Sequence, residues 1–456
     1  MSLKSPRTKV SRQSRLRLAS ALPLLCALIF FCPALIPCQT LPHALTAKEA
    51  SPGEAAELRT AHLTVFDDVW ETIHERYYDQ TFHGVDWTAQ RIKFRNTAAD
   101  AQSSAELYKI LRRMIGALRD AHTRVYAPDE KFDWRHPRIT SVGASIREIA
   151  GEAVVTNIEH NSEAERAGLR AGDVILRIND EPAHAVFEQR LREGIESSTI
   201  RATRLRAMSG LFDGAAGTTL KVRWVDDKGK EREAILRREQ REREQVLHVR
   251  RVREGFSVIK FDAFTESVVV DFAHRMNNSL RNAPGLIIDL RNNGGGEAEA
   301  MTEMASAFLH AGTSLGQFTD RAGRTAFEPR TRAAPLLTAN KIALFRAPVV
   351  VLTSERTSSA AEIFAAALKE ANRATVIGTQ TCGCVLAIRR RHSLPDGGEL
   401  DVSEMDYRTA HGARLEGTGV APNEELAPAK QDLRAHRDRT LERAVELLQV
   451  AHRLQK

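Results

Sequence analysis

The chain has 456 residues, enough for two or three domains with a sizeable core. Its composition, 42% apolar and 27% charged with no low-complexity tract, excludes a disordered chain outside the termini. A net charge of +7 invites a nucleic-acid reading, but position removes it. Lys4, Arg7, Lys9, Arg12, Arg15 and Arg17 precede residue 47 with no acid among them, and the remainder is near neutral.

That basic cluster leads into the apolar run at residues 19–37, which contains LPLLCALIFF and is interrupted by Pro23, Pro33 and Pro37. Charge followed by a short apolar stretch is the plan of an export signal over residues 1–47, cleaved near Ala47 or retained as an N-terminal membrane anchor. Either way the folded part is exported, to a periplasmic, extracellular or outward-facing anchored position. Cys26, Cys32 and Cys38 lie in this leader, so only Cys382 and Cys384 remain. Cysteines separated by one residue make a poor bridge, and the expectation is two small side chains in a tight loop. No metal-ligand cluster accompanies them, and no metal or other cofactor is expected.

Residues 58–130 read as a helical domain. Val65, Phe66, Val69, Ile73 and Tyr77 recur at helical spacing, as do Leu107, Ile110, Leu111, Met114 and Leu118. The second helix breaks at Arg119-Asp120-Ala121-His122-Thr123. Residues 138–240 change to short strands around Ala167-Gly168-Leu169-Arg170-Ala171-Gly172-Asp173-Val174-Ile175, where the glycines relieve tight turns. This stretch resembles a PDZ domain, interrupted by an arginine-rich insertion or extended helix over residues 187–212. The resemblance implies a peptide C-terminus held near Val142, Gly143, Ala144 and Ser145 by strand addition.

Residues 245–430 alternate apolar strands (258–261, 285–290, 348–352) with helices (297–310, 360–370), which predicts an α/β domain. Residues 431–456 predict a closing helix. Two features of this domain carry chemistry. Ser359 follows a buried strand and opens an alanine-rich helix, beside unpaired N–H groups and a positive dipole end that suit an oxyanion. Ser359 with Glu362 is also a capping box, which needs no catalysis to explain it. The turn Asn292-Asn293-Gly294-Gly295-Gly296 presents bare amides but lacks the lysine or spaced glycines of a nucleotide loop.

Taken together, the PDZ-like segment, Asp289-Leu-Arg-Asn-Asn-Gly-Gly-Gly296, Ser359-Ala-Ala-Glu362, Gly378-Thr-Gln-Thr381 and Glu416-Gly-Thr-Gly-Val-Ala-Pro-Asn423 resemble the C-terminal processing (tail-specific) and tricorn-core-like serine peptidases. The resemblance spans about residues 60–430. It implies a crotonase-like (ClpP/crotonase-type) α/β spiral catalytic domain, Ser359 as nucleophile, and oxyanion amides on Ala360 and on the glycine turn at Gly295 or Gly294. One departure stands out: where the family's Ser-Lys dyad carries lysine, this chain has Cys384. The tricorn-like branch instead draws a histidine from the helical region, and Ala121-His122-Thr123 matches that motif. Glu416 then orients the imidazole or holds substrate, directly or through Ser403 or Thr418. A histidine suits the task because its ordinary pKa of about 6.5 lets it take the serine proton and return it to the leaving amine.

The function expected is therefore an exported serine endopeptidase acting on protein or peptide substrates through a Ser-His mechanism, with no nucleic-acid partner. The alternative is a family member that has lost catalysis and binds peptide or hydrophobic ligands. His392 and His411 read as exposed loop residues. Arg201, Arg204 and Arg206, with Arg389, Arg390 and Arg391, read as solvated faces lacking the interleaved aromatics of a nucleic-acid groove.

Overall fold

A computed structural model describes residues 52–130, 138–193, 197–242 and 245–454. The leader and its three cysteines lie outside the described residues. Among those described, no helix is long and apolar enough to cross a membrane.

The helical segment comprises Pro52–Arg76, Trp87–Ala99 and Ser104–Gly116. Trp87–Ala99 escapes the sequence reading because its apolar face is short, and Asp86 caps it through the Ala89 N–H at 2.8 Å. These helices bury Phe66, Ile73, Tyr77, Tyr108 and Leu111 against Leu386, Leu394, Leu400 and Val402 of a five-stranded sheet. That sheet also takes in the strand Arg124–Tyr126, which pairs antiparallel with Glu399–Arg408. The helical region thereby delivers residues 120–123 to the C-terminal segment of the chain.

A separate sheet carries the PDZ-like segment, with Ala144–Ile149 at one edge and its hydrogen bonds made to Glu152–Ile158 on one side only. An unpaired edge of this kind accepts an added strand. The arginine-rich insertion folds as two helices, Ala183–Arg192 and Ile200–Ser209. Its arginines are exposed or half-exposed, as are Arg389 and Arg390, but two of them are also bonded to neighbouring segments. Arg204 pairs with Glu148 of the edge strand, and Arg201 donates to the Thr381 and Thr418 carbonyl oxygens, each at 3.1 Å. Arg391 likewise pairs with Asp401 and Glu399. His392 is on a strand rather than in an exposed loop, only 11% exposed and 3.1 Å from Glu404, whereas His411 is exposed as expected.

The third segment is a six-stranded sheet in the order His248–Arg251, Ser257–Lys260, Leu286–Asp289, Val349–Thr353, Thr375–Gly378, Glu424–Glu425, parallel after its first pair. Leu286–Asp289 and Val349–Thr353 are buried along their whole length, as parallel strands covered on both faces must be. On one face Ile288 and Val351 pack with helices Glu266–Asn277, Ala298–Ala305 and Ala360–Glu370. On the other, Ile287, Val350, Leu352 and Ile377 pack with Ala444 and Leu448 of the closing helix Arg439–Leu454. Arg291 fastens that helix, bonding Asp289 at its strand end and Asp438 beside the helix start. The chain is thus mixed α/β with a PDZ-like sheet.

Leu448 is fully buried in the second face. Leu448→Ala should lower unfolding stability by about 2–5 kcal/mol, read as a lower urea midpoint with an unchanged m-value.

Candidate active site

The nucleophile candidate sits where strand Val349–Thr353 turns into helix Ala360–Glu370. Ser359 takes φ 55° and ψ −126°, a region that costs a non-glycine residue of order 1–3 kcal/mol. The surroundings hold it there. Thr357 Oγ1 donates to the Leu290 carbonyl at 2.7 Å, and the Ser358 N–H donates to the Asn293 carbonyl at 3.1 Å. The Ser359 N–H is shared between the Cys384 carbonyl at 2.8 Å and Glu362 Oε2 at 3.2 Å. The capping carboxylate foreseen at Glu362 is therefore present, but it does more than cap. It also accepts from the Gly383 and Cys384 N–H groups at 2.7 and 2.9 Å and from the Thr381 hydroxyl. Full burial pushes the Glu362 carboxyl up to about 7, against those four donors, which favour the anion.

The glycine turn lies against the serine. Gly295, at φ 101°, has room for no side chain: a Cβ there would stand 2.6 Å from Ser359 Cβ. Its N–H donates to Asn293 Oδ1 at 2.9 Å, and the Gly294 N–H to the Asp262 carbonyl at 3.0 Å. The amides of Ala360 and Gly296 have no partner among the described residues, and both residues line the cleft with Ser359. Gly296 was missed from sequence because three adjacent glycines are indistinguishable until their neighbours are placed.

His122 lines the same cleft of 1020 Å³, on the wall opposite in sequence but joined by the sheet. Asp120 shapes its turn, accepting from the His122 N–H at 2.7 Å and from the Thr123 N–H and hydroxyl. Asp120 is a buried positioning residue that sequence reasoning missed, and its only signal was an aspartate two residues before the histidine. The imidazole Nδ1 is buried without a partner. Burial pushes its pKa below the ordinary value and Asp120 opposes this, so the ring is a neutral base at pH 7.

Glu416 is buried and bonds the N–H groups of Val385 and Leu386 at 2.7 and 3.2 Å. It reaches the histidine turn through neither Ser403, whose hydroxyl is unpartnered, nor Thr418, whose hydroxyl donates to the Arg414 carbonyl. The link is Ser198, hydrogen-bonded to Glu416 and accepting from the Ala121 N–H at 3.2 Å. Burial pushes the Glu416 carboxyl up to about 8. Among the described residues no hydrogen bond joins His122, Ser359 and Glu416 to one another.

Cys382 and Cys384 are joined in a disulfide, which corrects the expectation of two unlinked side chains. Their Cα atoms lie 5.2 Å apart, inside the range a bridge spans, because the loop curls around Gly383 at φ 74°. At the PDZ-like edge, Val142 is buried, the Gly143 N–H donates to Ser141 Oγ at 2.8 Å, and Ala144 and Ser145 line a second cavity of 530 Å³. Among the described residues there is no acidic, histidine or cysteine cluster able to hold a metal.

The PDZ-like sheet and a strained serine lining a cleft are the arrangement expected of a PDZ-containing serine hydrolase. A sequence model of peptidase family S41 matches residues 255–426, the tricorn protease C1 domain matches 59–116, and a PDZ domain matches 136–201. Carboxyl-terminal-processing peptidase 3, chloroplastic, of Arabidopsis thaliana is 28% identical over 90% of this chain and 76% of its own length. The carboxyl-terminal-processing protease of Synechocystis sp. is 26% identical over 78% of each chain. The solved photosystem II D1 C-terminal processing protease aligns with a TM-score of 0.53 at 23% identity, covering 81% of this chain and 94% of that one. Mature CPAF aligns at 0.64 and 14% identity over 83% and 94%, a likeness of fold. These matches give residues 255–426 an S41 peptidase domain behind tricorn C1 and PDZ segments, and they support a serine-type peptidase of the carboxyl-terminal-processing kind.

Two substitutions test the geometry. Gly295→Ala should reduce the reactivity of Ser359 by about 10²-fold, the scale of an ångström's misplacement at a reacting group, measured by fluorophosphonate labelling of folded protein. Glu416→Gln concerns pH. Because the folded carboxyl titrates near 8 and the unfolded one at 4.5, the folded state binds the extra proton between those values. Stability is then full below pH 4.5 and falls as pH rises through 8. Urea midpoints from pH 4.5 to 8.5 should fall less steeply in Glu416→Gln than in wild type, while Glu362 leaves some slope.

Proposed function

We propose that this peptidase is exported and cleaves proteins or peptides through an acyl-enzyme on Ser359, with His122 as general base in place of a lysine. The observation that carries this reading is the fate of residue 384. Cys384 is committed to a disulfide and its backbone carbonyl holds the Ser359 amide, so that loop presents no amine. His122, neutral and lining the same cleft, is the base on offer. Apo active sites often hold such pairs apart and tighten them on substrate.

In this mechanism Ser359 Oγ attacks the scissile carbonyl as His122 takes its proton. The oxyanion forms against the Ala360 amide and the glycine turn, with Gly296 ready and Gly295 able to serve if it leaves Asn293. His122 then protonates the leaving amine, and water repeats the sequence to free the enzyme. Glu416 acts as a positioning residue through Ser198 and the 385–386 amides. The catalytic domain adopts the crotonase-like spiral that the family resemblance implies, and the PDZ-like edge at Ala144–Ile149 receives the substrate's C-terminus near Val142, Gly143, Ala144 and Ser145. The basic, apolar leader supports export.

Fluorophosphonate labelling of leader-free protein should vanish in Ser359→Ala and fall by about 10²–10⁴-fold in His122→Ala. Its rate should rise with pH through a limb below the ordinary histidine value of about 6.5, because burial disfavours the imidazolium. A folded wild type that never labels, with or without a peptide carrying a free C-terminus, would instead establish the ligand-binding reading.

A further inference from the structure

The Cys382–Cys384 disulfide lies at the junction of every part of the site. The Cys384 carbonyl accepts from the Ser359 N–H, and the Gly383 and Cys384 amides bond the Glu362 carboxylate. Cys382 donates its N–H to the Thr357 carbonyl at 3.0 Å and accepts from Thr199 Oγ1 at 2.8 Å. The sulfur-bearing side chains pack with Ala121, which precedes His122, and with Ala202 of the insertion helix Ile200–Ser209. Both cysteines line the substrate cleft. A bridge of this span adds little to global stability, since the loop it closes is minimal. Its effect is confined to the conformation of residues 381–386, which is where the nucleophile's backbone is held.

We propose that Cys382–Cys384 is a reversible modification site for low-molecular-weight thiols of the glutathione class, and that opening it switches off Ser359. The proposal rests on the serine-peptidase reading of that residue. A thiolate entering the cleft, which both cysteines line, attacks Cys382 Sγ, Cys382 being the less buried residue at 8% exposed against 1%. The S–S bond breaks, Cys384 leaves as thiolate, and Cys382 carries the mixed disulfide. A second thiolate attacks the external sulfur of that mixed disulfide, expelling the Cys382 thiolate and forming the oxidised thiol dimer. The protein gains two electrons and, at neutral pH, two protons on its thiols. The freed loop no longer fixes the Cys384 carbonyl under the Ser359 amide, so the serine relaxes from its strained φ of 55°.

The test compares oxidised protein with protein held in reduced glutathione, without denaturant. Three readouts are taken: thiols counted by maleimide mass shift, hydrogen exchange over residues 381–386 and 357–362, and fluorophosphonate labelling. Opening of the bridge, faster exchange in both segments, and labelling reduced by about 10²-fold and restored on reoxidation are expected. In Cys382→Ala/Cys384→Ala the labelling should be low and indifferent to glutathione. A bridge that stays closed, or one that opens with labelling unchanged, overturns the proposal while leaving the serine mechanism standing. Faster exchange in both segments with no labelling in either redox state supports thiol control of the loop and overturns the peptidase reading alone.

Discussion

The structure around the cleft depends on one strained residue, Ser359 at positive φ between a buried strand and a buried helix. Nothing in a serine favours that backbone, so the conformation persists only because its surroundings over-determine it. Asn293 holds the preceding residue from one side. Glu362 and the Cys384 carbonyl hold its amide from the other. The cost of burying the Glu362 carboxylate is met by four donors drawn from two segments, which couples the helix start to the 381–384 loop. A capping box of ordinary type would have ended at the helix.

The second carboxylate repeats the pattern one layer away. Glu416 gathers the Val385 and Leu386 amides and, through Ser198, the backbone ahead of His122. Two buried acids thus organise a loop that carries no charged side chain of its own between residues 381 and 386. Where the Ser-Lys peptidases that this chain resembles carry a lysine, this chain places a disulfide, and the acids are compensated by N–H groups and hydroxyls. Burial without a cation raises both pKa values, which links the architecture of the site to the pH dependence of the fold.

The insertion helix Ile200–Ser209 joins the PDZ-like sheet to this arrangement. Arg204 reaches back to the edge strand while Arg201 reaches forward to the Thr381 and Thr418 carbonyls. The edge strand Ala144–Ile149 is thereby tied to a helix that bonds the carbonyls of Thr381 and Thr418. The physical path is short and made of charged hydrogen bonds rather than a flexible linker.

Local pattern determined the helices around residues 65–77 and 107–118, the buried strands and the strand-to-helix position of Ser359, but not the helices Trp87–Ala99 and Glu266–Asn277. The roles expected of residues 122, 359 and 416, and the weight of the cysteine at 384, came from the family resemblance rather than from the residues taken singly. What the sequence could not decide was partnership across the chain. Ser198 between Ala121 and Glu416 depends on segments far apart in sequence, while Asp120 with His122 and Asn293 with Gly295 are local bonds that form only once the fold sets each turn. The insertion arginines are solvent-exposed as read, but their carbonyl and carboxylate partners come from elsewhere in the chain and were not legible in the sequence. The bridge between Cys382 and Cys384 was local, yet it too required the fold, since only packing that curls the loop around Gly383 brings the two sulfurs together.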